Sequence, residues 1–277
     1  MKFCLLICFH IALIWASSLE KHEQFRNKRN IGGRIIGGTP AYAGQFTFAA
    51  AIHVHTADGT FFCGGALISN EWILTAAHSY LKRFVDFSAT LFTIQLGSNQ
   101  LEGEDSNRVT LATSEYVVYP DFNPETLEHD VGLIKLRMPL EFTNYIRATQ
   151  HLALVPIQDD TTVQGLGWGQ VDDLTPELSN DLNVVYLKSI SNAECRITYG
   201  NQITDNMVCV SGNYNEGACL GDTGSALIQV VSRGRQIHVG ISSFISGNGC
   251  QSTDPSGYTR TFAYIDWIRN TSGVWDQ

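Results

Sequence analysis

Short apolar runs separated by turn residues constrain the fold of this chain more than any other feature. Each run is rich in β-branched and aromatic residues and is bounded by Gly, Asn, Asp or Pro, a pattern typical of an all-β barrel or sandwich. One helix is predicted near the end, over residues 262–271, because Phe262, Ile265 and Ile268 recur at helical spacing. A shorter helical turn is predicted at 76–81. The apolar runs cover residues 46–54, 61–69, 91–96, 109–112, 116–119, 131–136, 182–190, 207–210, 226–231 and 237–242.

The first 34 residues have the composition of segments that are removed from secreted proteins. Lys2 precedes an apolar stretch over residues 3–15 and then the small residues 16–18, which predicts a signal peptide at 1–18. A basic segment follows, and we interpret residues 19–34 as a propeptide, with a solvated linker as the alternative. We therefore expect a secreted, extracellular protein.

The charge of the chain narrows its partners. The full sequence has a net charge of −9, and removal of residues 1–34 leaves 12 Lys and Arg against 25 Asp and Glu, about −13. An acidic surface of this size argues against nucleic acid and anionic membranes as partners. No later stretch approaches the length of a transmembrane helix.

The cysteine count fits an oxidising compartment but leaves an odd number. Cys4 and Cys8 lie in the predicted signal peptide, and five cysteines remain after it. Disulfide bonds are expected in a secreted protein, so at least one thiol is unpaired or pairs outside the chain.

A glycine-rich stretch after Cys219 carries the main functional signal. The sequence Gly221-Asp222-Thr223-Gly224 resembles the nucleophile loop of the chymotrypsin-like serine proteases, which usually contains serine at the position of Thr223. Glycines suit a loop whose backbone N–H groups converge on one point. The resemblance implies an oxyanion hole formed by the N–H groups of Gly221 and Thr223.

The segment Arg34-Ile35-Ile36-Gly37-Gly38 resembles the activation junction of the same family, although alone it is compatible with an ordinary glycine-rich turn. In that family, cleavage after the basic residue frees an ammonium group at the position of Ile35. The ammonium then pairs with the carboxylate that corresponds to Asp222 and orders the oxyanion loop. The resemblance thus implies a zymogen and an activating trypsin-like protease.

Two further motifs extend the resemblance to essentially all of residues 35–271. His78 follows Thr-Ala-Ala, and Asp130 precedes an apolar run, so that His78, Asp130 and Thr223 occur in the family's triad order. Ser243 is implied to hold Asp130 by a hydrogen bond. The implied fold is all-β, with two six-stranded antiparallel β-barrels at about 35–155 and 156–261, a C-terminal α-helix and a site between the barrels.

The resemblance also implies disulfide bonds Cys195–Cys209 and Cys219–Cys250. The family's cysteine after the catalytic histidine is Ser79 here, which leaves Cys63 as a free thiol. No metal site is expected, since Ser98 stands at the first ligand position of the family's calcium loop and the histidines form no ligand set. No cofactor is expected either.

Thr223 retains the hydroxyl that nucleophilic catalysis requires, but its methyl group restricts χ1. Rotamer strain of about 0.5–1.5 kcal/mol and overpacking of about 1–3 kcal/mol predict a rate loss of about 10²–10³. Ser225 is a poor substitute as nucleophile because no acidic residue precedes it to meet the new N-terminus.

The primary specificity pocket is inferred from five positions. Gly217 lies at the position of the pocket base, so Arg and Lys side chains of a substrate would find no counter-charge there. Ile245 and Ser256 stand at wall positions, which favours small aliphatic substrate residues, with a chymotrypsin-like preference as the alternative. Ser243 and Phe244 complete the predicted pocket.

Two functions from different classes remain open. One is a slow endopeptidase that acts on polypeptides with Thr223 as nucleophile, for which the resemblance suggests a digestive role by analogy alone. The other is a catalytically inactive homologue that binds or regulates a protein partner. His78, Asp130 and the Arg34–Ile35 junction favour the enzyme, and the serine loss favours the binding protein. A monomer is expected in both cases.

Overall fold

The computed structural model describes residues 37–79, 89–211 and 216–274, which form two barrel-like sheets that are antiparallel apart from one short strand. The first sheet has the strand order β6-β5-β2-β3-β4-β8-β7. Its strands are β2 (Ala49–Thr56), β3 (Gly59–Leu67), β4 (Trp72–Thr75), β5 (Leu91–Leu96), β6 (Val109–Thr113), β7 (Tyr116–Val118) and β8 (Gly132–Lys135).

The two edge strands of the first sheet are consecutive in the chain. Only residues 114 and 115 separate β6 from β7. The bend between them is fixed to β8, because Lys135 N–H donates to Glu115 O at 2.9 Å and the Thr113 hydroxyl donates to Lys135 O at 2.8 Å. Counted as one bent strand, β6 and β7 bring this sheet to the predicted six.

The second sheet has the order β1-β11-β10-β13-β14-β15-β12, and an additional β11–β12 pairing closes a ring of six strands. The short strands β1 and β9 attach outside this ring, and β9 runs parallel to β14. The strands are β1 (Thr39–Pro40), β9 (His151–Leu152), β10 (Thr162–Gly167), β11 (Asn183–Ile190), β12 (Met207–Val210), β13 (Ala226–Val231), β14 (Arg235–Phe244) and β15 (Ser256–Arg260).

The core follows the alternation of the apolar runs. Ile52, Phe92 and Ile94 are fully buried in the first sheet, and Val163 and Leu227 are fully buried in the second. Close-packed interiors of this kind supply most of the favourable free energy of folding. The two cores hold the sheets rigid beneath the loops that carry the candidate site.

The C-terminal segment is helical as predicted but begins as a tighter turn. A 3-10 turn covers Thr261–Tyr264, and helix α2 covers Ile265–Ser272. Ile268 is fully buried in a cluster with Trp72, Leu133 and Ile241. The helix therefore packs its apolar face against residues of both sheets.

Helix α1 (Asn192–Tyr199) was not predicted. The Ser191 hydroxyl caps it by accepting the N–H of Glu194 at 3.1 Å. Ser followed three residues later by Glu is the sequence signature of a capping box, so the signal was present. Short 3-10 turns also occur at Ala77–Ser79, Gly200–Gln202 and Ser232–Gly234.

Several predictions fall outside the described residues. These are the signal peptide at 1–18, the propeptide at 19–34, both sides of the Arg34–Ile35 junction and residues 80 and 81 of the predicted turn at 76–81. Among the helices that are described, none has the length and apolar character needed to cross a membrane.

Candidate active site

His78 and Asp130 form the best-defined pair of the site. His78 lies in the 3-10 turn after β4, and Asp130 lies two residues before β8, its pairing partner. Asp130 Oδ2 accepts from His78 Nδ1 at 2.7 Å, and Oδ1 accepts the backbone N–H of His78 at 2.8 Å. Asp130 is fully buried, whereas the His78 side chain is 26% exposed. With Nδ1–H committed to the carboxylate, a neutral ring carries its basic lone pair on Nε2.

Ser243 reaches the same carboxylate from the second sheet. Its hydroxyl donates to Asp130 Oδ2 at 2.5 Å. The register of β14 on β15 shifts between Ser242 and Phe244, and this irregularity lies at Ser243. Bulges of this kind re-aim a side chain next to functional sites. Thr259 adds a hydrogen bond from its hydroxyl to Asp130 O at 2.8 Å.

The Thr223 loop is fixed between the two sheets. Gly64 N–H, from β3, donates to Thr223 O at 2.7 Å, and Gly224 N–H donates to Ser242 O, in β14, at 2.8 Å. A Cβ atom at Gly224 would overlap the Thr75 hydroxyl, three residues before His78. These contacts bring the Thr223 loop against the segment that carries His78. Within the described residues, no hydrogen bond joins the Thr223 hydroxyl to the His78 ring.

The backbone around Thr223 leaves two amides unused. The N–H groups of Asp222, Gly224 and Ser225 donate to backbone carbonyls. Those of Gly221 and Thr223 donate to no acceptor in the part of the chain that the structure describes. Two such N–H groups, separated by one residue, are the arrangement that stabilises a developing oxyanion.

Asp222 is buried beside this loop. Its carboxylate accepts the N–H of Gly169 and of Cys219, both at 2.8 Å, and is 1% exposed. A Cβ atom at Gly169 would lie 2.6 Å from the carboxylate, and one at Gly167 would overlap it. Both glycines of the Gly167-Trp168-Gly169 motif therefore make room for Asp222. Burial raises the pKa of Asp222 to about 7, opposed in part by the two N–H donors.

Leu178 contacts the loop and was missed by sequence reasoning. Gly221 has φ = 98°, and a Cβ atom there would lie 2.5 Å from a Leu178 methyl group and 3.8 Å from the Phe62 ring. Leu220 O accepts the N–H of Gln170 at 2.8 Å. Leu178 lies in an irregular loop, and no local sequence pattern distinguishes this half-buried leucine from one without a role at the site.

The disulfide pairing in the structure is the one that the resemblance implies. The bonds are Cys195–Cys209 and Cys219–Cys250, and Cys63 is an unpaired, buried cysteine. Burial raises the pKa of the Cys63 thiol to about 12, while the hydroxyls of Ser79 and Thr75 oppose the rise. A thiol of this kind is mostly protonated and unreactive in the folded protein.

Of the five predicted pocket residues, Ser243 and Phe244 end β14, Ile245 follows that strand, Ser256 begins β15 and Gly217 lies six residues before Thr223. A Cβ atom at Gly217 would contact the Ser256 hydroxyl at 3.7 Å. Ile245 is half-buried against the Cys219–Cys250 disulfide. The Phe244 ring packs on the Tyr199 ring, with centroids 5.2 Å apart, and occupies the space that a side chain at position 257 would need.

One group of metal-type ligands occurs among the described residues, formed by Asp173, Cys219 and Cys250. Both sulfur atoms belong to a disulfide bond, so neither supplies the thiolate that a metal would require.

Comparisons with known proteins agree with this geometry. The family model described as Trypsin matches residues 35–268. Brachyurin from Leptuca pugilator is 32% identical over 240 residues, covering 87% of this chain and 99% of the relative. Collagenase from Hypoderma lineatum is 32% identical over 283 residues, covering 99% of both proteins. The solved structure of HL collagenase at 1.7 Å resolution has a TM-score of 0.74 and 30% identity, covering 87% of this chain and 100% of that one.

Two barrel-like sheets with a C-terminal helix define the chymotrypsin fold. The chain belongs to the trypsin family of serine proteases. Its homologues are serine endopeptidases that act on polypeptides.

Proposed function

We propose that this chain is the secreted zymogen of a slow endopeptidase that uses Thr223 as nucleophile. His78 acts as general base through Nε2, Asp130 orients the ring, and the N–H groups of Gly221 and Thr223 stabilise the oxyanion. The observation that supports the proposal best is the Asp130 carboxylate, which accepts from both the ring and the backbone of His78. This pair fixes the ring geometry that proton transfer needs.

The threonine methyl group explains why the proposed enzyme is slow. No hydrogen bond joins the Thr223 hydroxyl to His78 within the described residues. Attack requires the hydroxyl to reach Nε2, and a β-branched side chain has few rotamers for this. Catalytic hydrogen bonds are often long in the absence of substrate and tighten in the reacting complex, so the missing bond is compatible with activity.

The same missing bond favours the second candidate function, a catalytically inactive binding or regulatory protein. The discriminating experiment is peptide hydrolysis by Arg34-cleaved protein, with the His78→Ala variant prepared in parallel. Turnover that His78→Ala abolishes supports the enzyme. Equal rates in both proteins would reject it and leave the binding protein.

Activation is proposed to follow cleavage after Arg34 by a trypsin-like protease. Asp222 supports this step because its buried carboxylate accepts only two backbone N–H groups within the described residues. A new ammonium at Ile35 would supply its missing counter-charge. Limited trypsin treatment of the secreted precursor should expose the N-terminus Ile35-Ile36-Gly37-Gly38, and N-terminal sequencing that finds another first cleavage site would reject the zymogen assignment.

The proposed substrate residue before the scissile bond is small or aliphatic. Gly217 has no side chain, so it places no carboxylate at the pocket base, and the Ile245 side chain narrows the pocket from its wall. Peptides with Ala, Val or Leu should therefore be cleaved faster than those with Arg, Lys or Phe. Ile245→Gly should raise the cleavage rate of peptides with Phe relative to that of peptides with Ala. A preference of the unmodified enzyme for Arg would show that the pocket assignment is wrong.

A further inference from the structure

A groove that shares no residue with the candidate active site lies beside β9, the start of β14 and helix α2. Its volume is about 370 Å³, in the range of pockets that hold small ligands, about 300–1,000 Å³. Nine of the fourteen described residues that line it are apolar, chiefly in the segment 152–157 together with Ile237 and Ile265. The other five described lining residues are His151, Gln158, Gln229, Arg235 and Arg269, so that no carboxylate is found among the described residues of the groove.

Two arginines, Arg235 and Arg269, line the groove without a partner among the described residues. The side chains of Arg235 and Arg269 form no hydrogen bond or ion pair with any residue in the ranges 37–79, 89–211 and 216–274. Elsewhere, Arg196 pairs with Asp205, and Arg108 donates to backbone carbonyls. In a chain with 27 Asp and Glu against 18 Lys and Arg, two unpaired guanidinium groups at one apolar groove form a local anion-attracting site.

We propose that this groove binds a long-chain carboxylate, with the head group at Arg235 and Arg269 and the aliphatic chain along residues 152–157. Guanidinium groups match the geometry of a carboxylate, and the apolar wall removes the chain from water. A peptide fits less well, because each of its backbone amides would need a partner and the described lining side chains supply two amides, Gln158 and Gln229.

Calorimetric titration of the full secreted chain with decanoate, below its micelle concentration, tests the proposal, with decanol as the uncharged control. Decanoate should bind at one site and at least tenfold more tightly than decanol. Arg235→Gln and Arg269→Gln should each weaken decanoate binding about tenfold and leave decanol unchanged. Arg137→Gln, which removes an exposed charge outside the groove, is the matched control and should change neither Kd by more than about twofold.

Thermal melting of each variant separates loss of binding from loss of folding, and the exposed position of Arg235 makes its substitution compatible with the fold. Three results would overturn the proposal: equal binding of decanoate and decanol, unchanged decanoate binding in both groove variants, or tighter binding of an acetylated tetrapeptide that ends in leucine. This test does not depend on peptidase activity.

Discussion

Ser243, on the second sheet, donates its hydroxyl hydrogen to the Asp130 oxygen that also accepts from His78 Nδ1. One carboxylate oxygen is thus held from both sheets. The orientation of the His78 ring therefore depends on how the two sheets are placed, and not only on the loop that carries His78.

Ser243→Ala should lower kcat by about tenfold with little change in KM. A hydrogen bond to a buried charged group contributes about 1.5–3 kcal/mol, and its loss leaves the Asp130 carboxylate less well oriented. Ser246→Ala is the control, because it removes a similar hydrogen bond to the Asp254 carboxylate. Steady-state kinetics on the cleaved enzyme measure both. Equal losses in the two variants would show that Ser243 has no special positioning role.

Asp222 should make the stability of the uncleaved chain depend on pH. Its pKa, about 7 in the folded state, lies above the ordinary value of 3.8. The protonated Asp222 carboxyl therefore adds most to the free energy of unfolding below pH 4. This contribution is lost as the pH rises to about 7. The free energy of unfolding of wild type relative to Asp222→Asn should fall by about 4 kcal/mol between pH 4 and pH 8.

His238 changes stability in the opposite direction over the same pH range. Burial lowers its pKa to about 4, so its protonation destabilises the fold as the pH falls from 6.5 to 4. Wild type and Asp222→Asn both carry His238, so its contribution cancels when their free energies of unfolding in urea are subtracted. A stability difference between wild type and Asp222→Asn that stays flat with pH would contradict the account of Asp222.

Cys63 should be a single thiol that reacts only after unfolding. It is 2% exposed, and its pKa is raised to about 12 by burial, so little thiolate forms near neutral pH. Thiol titration of Arg34-cleaved protein should give zero groups per chain in buffer and one in denaturant. Three groups in denaturant would contradict the two disulfide bonds, and none would indicate a bond to another molecule.

Much of the fold could be predicted because local pattern and tertiary structure agree. Apolar runs such as 131–136 and 226–231 became strands β8 and β13, since a strand that packs against the core selects β-branched and aliphatic residues. The bend that joins β6 to β7 was not predictable, because it depends on hydrogen bonds to Lys135, far away in the sequence.

The residues of the candidate site also fall into two groups, those that local motifs identify and those that depend on tertiary contacts. His78, Asp130 and Asp222 stand in local motifs and were found from those motifs. Leu178 supports Gly221 only through a tertiary contact that no local pattern encodes. The helix α1 could have been found, because its cap is a local signal that competes with nothing else in the segment.

Thr223→Ser tests the central claim most directly, because it removes one methyl group and keeps the hydroxyl. If His78, Asp130 and the N–H groups of Gly221 and Thr223 are already in place, the relief of crowding appears mainly in the transition state. We expect kcat of the Arg34-cleaved enzyme to rise by about ten- to a thousand-fold with little change in KM.

The measurement is active-site titration of cleaved Thr223→Ser with an organophosphate, together with peptide hydrolysis and with the Thr223→Ser/His78→Ala double variant as the control. Titration close to one nucleophile per chain, with hydrolysis that the double variant loses, is the predicted result. A serine variant that neither titrates nor hydrolyses any peptide faster than wild type would contradict the slow-enzyme account and leave the binding protein as the function of this chain.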